Sequence, residues 1–307
     1  MEHQINLTVE EGDVGKRLDA FLAASSIDLS RSYIQKLIKD HRVEINGNFD
    51  LKSKTAVSSS DLITIHLPEP ETMTITPQNI PLDILYEDED VLVVNKPKGM
   101  VVHPAPGHYS DTLVNAVMFH CKDNLSGING VLRPGIVHRI DKDTTGALIV
   151  CKNDRSHKCI SEQLKAHSIT RTYQAVVYHN FSVESGTIDL PIGRHPTDRK
   201  KRTVTDKNSK RAVTHYTILD HLDHQFNHIE CRLETGRTHQ IRVHMAHIGH
   251  PLLGDTIYGP GNVKYKTLQG QTLHAGTIGF IHPTTDEYME FEAPLPDYFK
   301  KLLKNLK

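Results

Sequence analysis

A stretch of charged and hydroxyl side chains lies between two apolar runs in the segment IVHRIDKDTTGALIV, residues 136–150. The flanking runs, Ile136-Val137 and residues 147–150, have the composition of buried β-strands. A solvent-exposed turn between strands needs only two to five polar residues, and many residue types would serve. The surplus of charge therefore indicates either an unusually polar turn or a functional site. Its charged and titratable side chains are His138, Arg139, Asp141, Lys142 and Asp143.

Two later segments carry polar groups that complement this one. The sequence contains no phosphate loop, no GxGxxG motif and no GxSxG motif. One carboxylate, one tyrosine and several arginines, each next to a predicted strand, suit a reaction that needs neither a metal nor a cofactor. These groups are Arg139 and Asp141, then Arg171 and Tyr173 in TRTYQAV, then Arg237, His239, Gln240 and Arg242 in LETGRTHQIRVH.

Four histidines follow one another closely in THQIRVHMAHIGHP, at positions 239, 244, 247 and 250. Histidines three or four residues apart can share one helical face and bind zinc. However, this run contains no HExxH motif and no carboxylate, and Arg237 and Arg242 would repel a cation. The four cysteines also lack a CxxC spacing. We therefore expect packed or RNA-facing histidines, no bound metal and no cofactor.

The overall composition is that of an ordinary globular protein, with 37% hydrophobic residues, 24% charged residues and a net charge of −1. No apolar run reaches the ~18 residues of a membrane helix. The polar start MEHQINLTVEEGD is unlike a signal peptide. Together with the absence of a disulfide pattern, these features predict a cytoplasmic protein.

Basic charge is concentrated in RHPTDRKKRTVTDKNSKR, residues 194–211, which contains eight Lys/Arg and two Asp. Most charge runs are solvated loops, and composition alone leaves that alternative open. Clustered cations also gain affinity for nucleic acid by releasing its counterions, so the run is a candidate RNA-binding arm. Its densest part comprises Arg199, Lys200, Lys201 and Arg202.

Short strand-like runs dominate from Leu82 onward, among them ILYEDEDVLVVNKP, GIVHRI, ALIVC, TYQAVVY, VTHYTILD and HIECRLET. Helices are predicted at 156–167 and 241–248. This mixture predicts an α+β domain over residues 82–307.

Residues 13–67 have the pattern of a small module of two helices and a sheet. The apolar residues of RLDAFLAA fall on one helical face, and SRSYIQKLIKD repeats that spacing. Ser30 or Ser32 can cap the second helix, and Ser32 with Gln35 fits a capping box. The Asn-Gly pair in VEINGNFDL predicts a type I′ hairpin between two short strands, and DLITIHL predicts another strand.

A linker is predicted over residues 68–81, PEPETMTITPQNIP, which contains four prolines. Proline removes a hydrogen-bond donor and favours an extended conformation in the residue before it. The predicted boundaries are therefore 13–75 for the N-terminal module and 82–307 for the larger domain.

Four segments in order resemble the motifs of the RluA family of pseudouridine synthases. GIVHRIDKDTTGALIV is similar to the family signature HR(L/I)DxxT(S/T)G, with Ile140 in place of the commoner leucine. VLVVNKPKGMVVHP resembles the first motif, ITRTYQAVV the tyrosine motif and LETGRTHQIRVHMAHIGHPLLGD the third motif. The N-terminal module, with Arg31 and Lys36 among its surface cations, resembles the alpha-L (S-four-like) RNA-binding module. GRHPTDRK and HMAHI bring the chain closest to the RluD branch, which modifies large-subunit ribosomal RNA.

The resemblance implies a pseudouridine synthase fold, with a mixed, mostly antiparallel sheet flanked by helices and loops. It assigns Asp141 as the essential carboxylate, which acts as a nucleophile or a base on the base or the sugar. It also implies that Arg139 fills the gap left by an extruded uridine and that Tyr173 stacks on the base. The family motif places Arg242 beside Asp141, where a cation favours the ionised carboxylate. The neighbouring residues expected to bind RNA are His138, Arg171, Arg237 and His239.

Each catalytic candidate also has a purely structural explanation. Asp141 suits the start of the turn DKDTTG, Tyr173 suits the core side of a strand, and Arg242 suits a helix surface. Their joint occurrence in motif order favours the catalytic interpretation.

The resulting prediction is a monomeric enzyme that isomerises specific uridines of 23S ribosomal RNA, or of a large-subunit precursor, in the bridge stem-loop of the large subunit. Two alternatives stay open at this point. One is the same chemistry on a different ribosomal or transfer RNA uridine. The other is a non-catalytic, ribosome-associated RNA-binding protein.

Overall fold

The computed structural model of the chain describes residues 3–25, 27, 29–67, 75–104, 108–122, 124–128, 134–260 and 263–307. The described residues separate into two units, residues 1–73 and residues 74–307, and each unit has its own hydrophobic core. No helix within the described ranges is long and apolar enough to cross a membrane.

The N-terminal unit packs two helices against a three-stranded antiparallel sheet of order β1-β3-β2. The predicted apolar stripes of both helices are confirmed, because Leu18, Leu22 and Ile34 are fully buried in its core. Its elements are β1 (His3–Thr8), a 3-10 turn (Glu11–Asp13), α1 (Leu18–Ala24), α2 (Arg31–Lys39), β2 (Val43–Ile45) and β3 (Leu62–Leu67).

The start of α2 differs in part from the prediction. Ser30 caps the helix by accepting a hydrogen bond from the backbone N–H of Tyr33. The predicted capping box of Ser32 with Gln35 is wrong, because the Gln35 amide instead donates to the buried carboxylate of Asp19 at 2.7 Å. A buried carboxylate needs hydrogen-bond donors more than a solvent-exposed helix end does.

The Asn-Gly turn after β2 has the left-handed backbone that a type I′ hairpin requires, with φ of 50° at Asn46 and 84° at Gly47. Only a single bridge, Ile45 to Asn48, follows it. The second strand predicted in VEINGNFDL therefore does not form, and β2 pairs with β3 instead.

The larger unit contains a nine-stranded sheet built from the described residues, in the order β4-β5-β6-β13-β7-β12-β11-β8, with β14 beside β13. Among the strand pairs in the described part of the chain, only β6–β13 is parallel, so the predicted mixed, mostly antiparallel sheet is confirmed. The strands are β4 (Ile84–Glu87), β5 (Val91–Lys96), β6 (Thr145–Cys151), β7 (Thr170–Tyr178), β8 (Ser185–Asp189), β9 (Ile192–Arg194), β10 (Arg202–Val204), β11 (Val213–Leu222), β12 (Phe226–Leu233), β13 (Leu273–Ile281) and β14 (Tyr288–Glu292).

Helices flank this sheet, and the two predicted ones occur within two residues of their expected positions. The helices are α3 (Leu113–Cys121), α4 (Asp154–Ala166), α5 (Gln240–His247) and α6 (Asp297–Leu306), with a 3-10 segment at Val263–Leu268.

The segment before β6 is not the strand that its composition predicts. Ile136 forms one isolated bridge with Val150, and residues 137–141 have no strand assignment. Here the ring of His138 takes the place of a strand partner, because its Nε2 accepts the backbone N–H of Ile149 at 2.9 Å. Residues 141–144 close a turn in which the Thr144 N–H donates to the Asp141 carbonyl.

The centre of the sheet brings this turn next to Tyr173. Ala275 on β13 pairs with Gly146 on one side and with Tyr173 of β7 on the other. Gly146 has a φ of 112°, and a Cβ there would lie 2.1 Å from the Ala275 carbonyl oxygen. Glycine is therefore required for β6 to begin this close to β13.

Residues 68–74 of the predicted linker, with Pro68 and Pro70, lie outside the described residues. The remainder packs on the larger unit, since Ile75 is buried in its core and the Asn115 amide donates to the Thr76 carbonyl at 2.8 Å. The linker prediction is therefore too long at its C-terminal end, because an apolar residue inside it has a core position.

Candidate active site

Asp141 lies against the guanidinium of Arg242. The Arg242 NH1 donates to Asp141 Oδ2 at 2.9 Å. The Asp141 side chain is 15% exposed and that of Arg242 is 5% exposed. The close contact keeps a negative carboxylate in a partly enclosed position, where an unpaired charge would be costly.

Asp255 holds Arg242 from the other side. It accepts from Arg242 Nε at 2.7 Å and from NH2 at 3.0 Å, a bidentate pair. Burial opposes the charged form of Arg242, yet Asp255 and Asp141 together raise its pKa above the usual value. Burial also opposes ionised Asp255, but the Arg242 hydrogen bonds hold the pKa of Asp255 below its usual value. Arg242 is thus a fixed, permanent cation aimed at Asp141.

Asp141 and Tyr173 line a small cavity of about 50 Å³, which adjoins a cleft of about 560 Å³. Asp141, Tyr173 and His239 line both spaces, so the carboxylate is reached from the cleft. The cleft volume is in the range typical of sites for small organic groups. Burial raises the pKa of Tyr173, so its hydroxyl is neutral at physiological pH.

Three arginines line the same cleft. Arg139 is exposed at its rim. Arg171 is only 7% exposed and donates from NH2 to the Glu234 carbonyl, while its Nε has no hydrogen-bond partner in the described part of the chain. Arg237 is half-buried and donates from Nε to the Arg211 carbonyl at 3.0 Å. The cleft therefore presents positive charge suited to a polyanion.

The histidines of the third motif have separate environments. His239 faces Asp141, with 3.8 Å between Nε2 and Oδ1, and burial lowers its pKa. His244 is buried and bonds to Thr214 and to the Leu190 carbonyl. His250 stacks on Phe181. His138, also predicted to bind RNA, lines the cleft, but its Nε2 is occupied by strand β6, and burial lowers its pKa to about 3.

The basic run 194–211 overlaps a short hairpin of β9 and β10, which begins at Ile192. Arg199 and Lys200 are exposed at its turn, whereas Lys201 and Arg202 are half-buried. A further cleft of about 330 Å³ is lined by Arg202, Lys210 and Arg237. Because Arg237 also lines the Asp141 cavity, one arginine connects the hairpin with the candidate catalytic carboxylate.

The other two predicted RNA-binding residues belong to the N-terminal unit. Arg31 donates from NH2 to Asp19 at 3.1 Å, so part of its donor capacity is used inside the unit. Lys36 is exposed on α2.

Three residues around the site were not assigned a role from the sequence. They are Asp255, Tyr258 and Lys96. Lys96 is 1% exposed and donates to the carbonyls of Pro97, Met100 and Lys142, while burial lowers its pKa to about 7. It thereby fixes the backbone next to Asp141. The sequence offered a signal for two of these residues. Lys96 is a charged residue at the end of an apolar strand, and Asp255 is a lone carboxylate after an apolar run.

The chain matches the family model described as RNA pseudouridylate synthase over residues 90–247 and the S4 domain model over residues 16–63. It is 52% identical over 305 residues to an uncharacterized RNA pseudouridine synthase of Bacillus subtilis (strain 168), covering 99% of each chain. It is 47% identical over 309 residues to the ribosomal large subunit pseudouridine synthase D of Zymomonas mobilis, covering 98% of this chain and 96% of that protein.

A solved structure titled human RNA pseudouridylate synthase domain containing 1 matches with a TM-score of 0.57 and 26% identity, covering 75% of this chain and 87% of that one. The predicted resemblance is therefore confirmed in both units. The chain belongs to the RNA pseudouridylate synthase family, as an RNA pseudouridine synthase that carries an S4 domain ahead of its synthase domain.

Proposed function

We propose that this enzyme converts uridines of large-subunit ribosomal RNA into pseudouridine, with Asp141 as the reacting carboxylate. The observation that carries the assignment is the Asp141–Arg242 contact of 2.9 Å at a cavity that Tyr173 also lines. Relatives from Zymomonas mobilis and Escherichia coli O157:H7, 47% and 42% identical, are named ribosomal large subunit pseudouridine synthase D, which supports the substrate class.

The reaction breaks the bond between the ribose and a ring nitrogen, turns the base and joins the ribose to a ring carbon. That carbon then loses its proton and the freed ring nitrogen gains one, so the product is an isomer of uridine. Asp141 serves as nucleophile on the base or sugar, or as the base that removes a proton. Arg242 stabilises the carboxylate without becoming a proton donor, because a guanidinium stays charged at all physiological pH values.

The target uridine must leave its stack before it can reach Asp141, at a cost of a few kcal/mol. Arg139 is exposed at the rim of the cleft, where a long cation can occupy the space vacated by the base. Tyr173 is 8% exposed and lines the cavity, and we assign its ring to stack on the extruded uracil. Arg171 and Arg237, with His138 in the same wall, are assigned to the flanking nucleotides, and His239, which faces Asp141, is assigned to the target nucleotide.

We assign RNA affinity to the S4 unit and to the basic hairpin, and chemistry to the larger unit. Arg31 and Lys36 contribute on the S4 unit, and residues 199–202 on the hairpin. Since the substrate is a ribosomal RNA or its precursor, we place the enzyme in the cytoplasm, and we expect it to act as a monomer. Sedimentation equilibrium of the purified protein checks the oligomeric state.

Pseudouridine mapping in total RNA from cells that lack this protein tests the proposal. The expected result is loss of signal from the bridge stem-loop of 23S ribosomal RNA, restored by the wild-type gene and not by an Asp141→Asn gene. Loss confined to transfer RNA, or to another ribosomal site, would show that the chemistry is right and the substrate wrong. An unchanged pseudouridine map would refute the proposal.

A further inference from the structure

A chain of hydrogen bonds joins the basic hairpin to the Asp141 cavity through one tyrosine. The backbone N–H of Arg202, the first residue of β10, donates to the Tyr258 hydroxyl at 2.8 Å. The same hydroxyl lies 2.8 Å from Nδ1 of His239. On its other side, His239 presents Nε2 to Asp141 Oδ1 at 3.8 Å.

These contacts favour one arrangement of the protons on Tyr258 and His239. The Tyr258 oxygen already accepts the Arg202 N–H, and burial raises the pKa of Tyr258, so the hydroxyl keeps its own proton. With the Arg202 N–H already on that oxygen, we infer that the hydroxyl proton is directed at His239 Nδ1, which then acts as the acceptor and carries no proton. Burial lowers the pKa of His239. The negative charges of Asp141 and Asp255 raise this pKa and the positive charges of Arg242 and Arg139 lower it, and the net shift is downward. The ring is then neutral, and its single proton sits on Nε2.

Tyr258 itself is held firmly in this place. Its ring lies under the guanidinium of Arg242, 5.1 Å from Cζ to the ring centroid. Its backbone N–H donates to Asp255 Oδ1 at 3.0 Å. His239, in turn, has a left-handed backbone with φ of 59° at the start of α5. A non-glycine residue in that conformation is costly, and such strain is concentrated at functional sites.

We propose that Tyr258 is a positioning residue of the synthase: its hydroxyl holds His239 as the neutral Nε2–H tautomer and couples that ring to the backbone of the basic hairpin. His239 then donates a hydrogen bond from Nε2 into the cavity, to an acceptor oxygen of the bound uridine nucleotide. The effect of Tyr258 on the reaction rate rests on the proposed function, whereas the tautomer of His239 can be measured without any substrate.

The test uses the full-length protein with Tyr258→Phe, which keeps the ring beneath Arg242 and removes only the hydroxyl. Nitrogen NMR of protein with ¹⁵N-labelled histidine measures the tautomer of His239. The wild type should show a proton at Nε2 and none at Nδ1, and the variant should show a mixture of both tautomers. In steady-state assays with RNA, kcat should fall about tenfold, the effect of one hydrogen bond at a functional group, while KM changes by less than about twofold.

A double-mutant cycle separates positioning from general damage to the fold. Tyr258→Phe should cost nothing further in a His239→Ala background, because the two residues act as one unit. Tyr288→Phe is the matched control, since Tyr288 is 52% exposed on β14 and its hydroxyl bonds Thr170. It should leave both the His239 resonances and kcat unchanged.

A proton on Nδ1 of His239 in the wild-type protein would overturn the proposal. A tenfold fall in kcat on Tyr258→Phe that persists in the His239→Ala background would overturn it too. If the wild-type protein forms no pseudouridine on any RNA, the proposed function fails. The nitrogen resonances would still decide the role of Tyr258 in that case.

Discussion

The Arg242 guanidinium donates to Asp141 across 2.9 Å, although the two residues lie 101 positions apart in the chain. Two other donors of Arg242, at Nε and NH2, bind Asp255, so the cation is anchored independently of Asp141. This arrangement lets the charge of Asp141 be removed while the site around it stays in place.

Asp141→Asn should therefore abolish pseudouridine formation with little loss of stability. Asparagine suits the same turn but cannot carry the charge that attacks carbon or takes up a proton. RNA affinity should stay within about threefold, because it rests on phosphate contacts. Release of tritium from C5-labelled uridine in an RNA transcript measures turnover, and filter binding measures affinity. Residual turnover near the wild-type rate would leave Asp141 as a turn residue.

Asp255→Asn should destabilise the protein by about 3 kcal/mol, the cost of removing one partner from a buried ion pair. Asp255 is 3% exposed and binds Arg242 through two hydrogen bonds. Chemical denaturation measures the loss, and the activity should fall as well because Arg242 loses its anchor. The matched control is Asp189→Asn, whose side chain is 53% exposed and pairs with Arg211. That change should cost less than about 1 kcal/mol. Equal stability of the two variants would contradict the anchoring role.

Replacing Arg199, Lys200, Lys201 and Arg202 with Ala should weaken RNA binding and flatten its salt dependence. Each lost phosphate contact removes about 0.7 to 0.9 units of log–log slope. Arg211→Ala is the control, because Arg211 is already paired with Asp189 at 3.2 Å and Glu234 at 3.6 Å. Affinity titrations over a range of salt concentrations measure the slopes. An unchanged slope in the variant with all four substitutions would show that residues 194–211 are a solvated loop without phosphate contacts.

Removal of the N-terminal unit should give a result that depends on where the chain is cut. A fragment of residues 74–307 keeps Ile75 in the core and should stay folded and active on small RNA substrates, with weaker affinity or altered target choice. A fragment that begins at Gln78 loses the burial of Ile75 and should be less stable by about 1.5 to 3 kcal/mol. Thermal denaturation and turnover assays compare the two. Inactivity of the longer fragment on every RNA would show that the units are not independent.

Asp19→Asn should destabilise the S4 unit at neutral pH by about 1–2 kcal/mol. This is less than the loss expected for a fully buried ion pair, because the arginine partners of Asp19 are exposed. Hydrogen bonds from Arg17, with those from Gln35 and Arg31, hold the pKa of Asp19 well below its usual value. A depressed carboxyl pKa adds stability above the unfolded-state pKa and loses it as the pH falls towards the folded one. The difference between wild type and variant should therefore shrink below about pH 4. Melting curves between pH 7 and pH 2 measure it, and a constant difference would contradict this origin.

Local spacing in the sequence was enough to predict several elements and the order of the motifs. The stripes of α1 and α2 and the positions of α4 and α5 depend on side chains within one or two helical turns, so a short window contains the information. The same holds for the Asn-Gly turn, whose left-handed backbone needs only its own two residues. The resemblance to the family motifs also predicts Asp141, Tyr173 and Arg242 as catalytic residues, and the structure places all three around one cavity.

Long-range pairing explains what the sequence did not predict. Ile136 and Val137 have strand composition, but the ring of His138 supplies the hydrogen bond that a strand would have used. The roles of Asp255 and Tyr258 depend on partners from other elements, which no local pattern connects to them. Placement of Asp141 beside Tyr173 requires β13, whose Ala275 pairs with Gly146 and Tyr173 at once. Such contacts form only when distant strands meet, because their energy depends on burial and hydrogen bonding in the folded sheet, not on neighbouring residues in the chain.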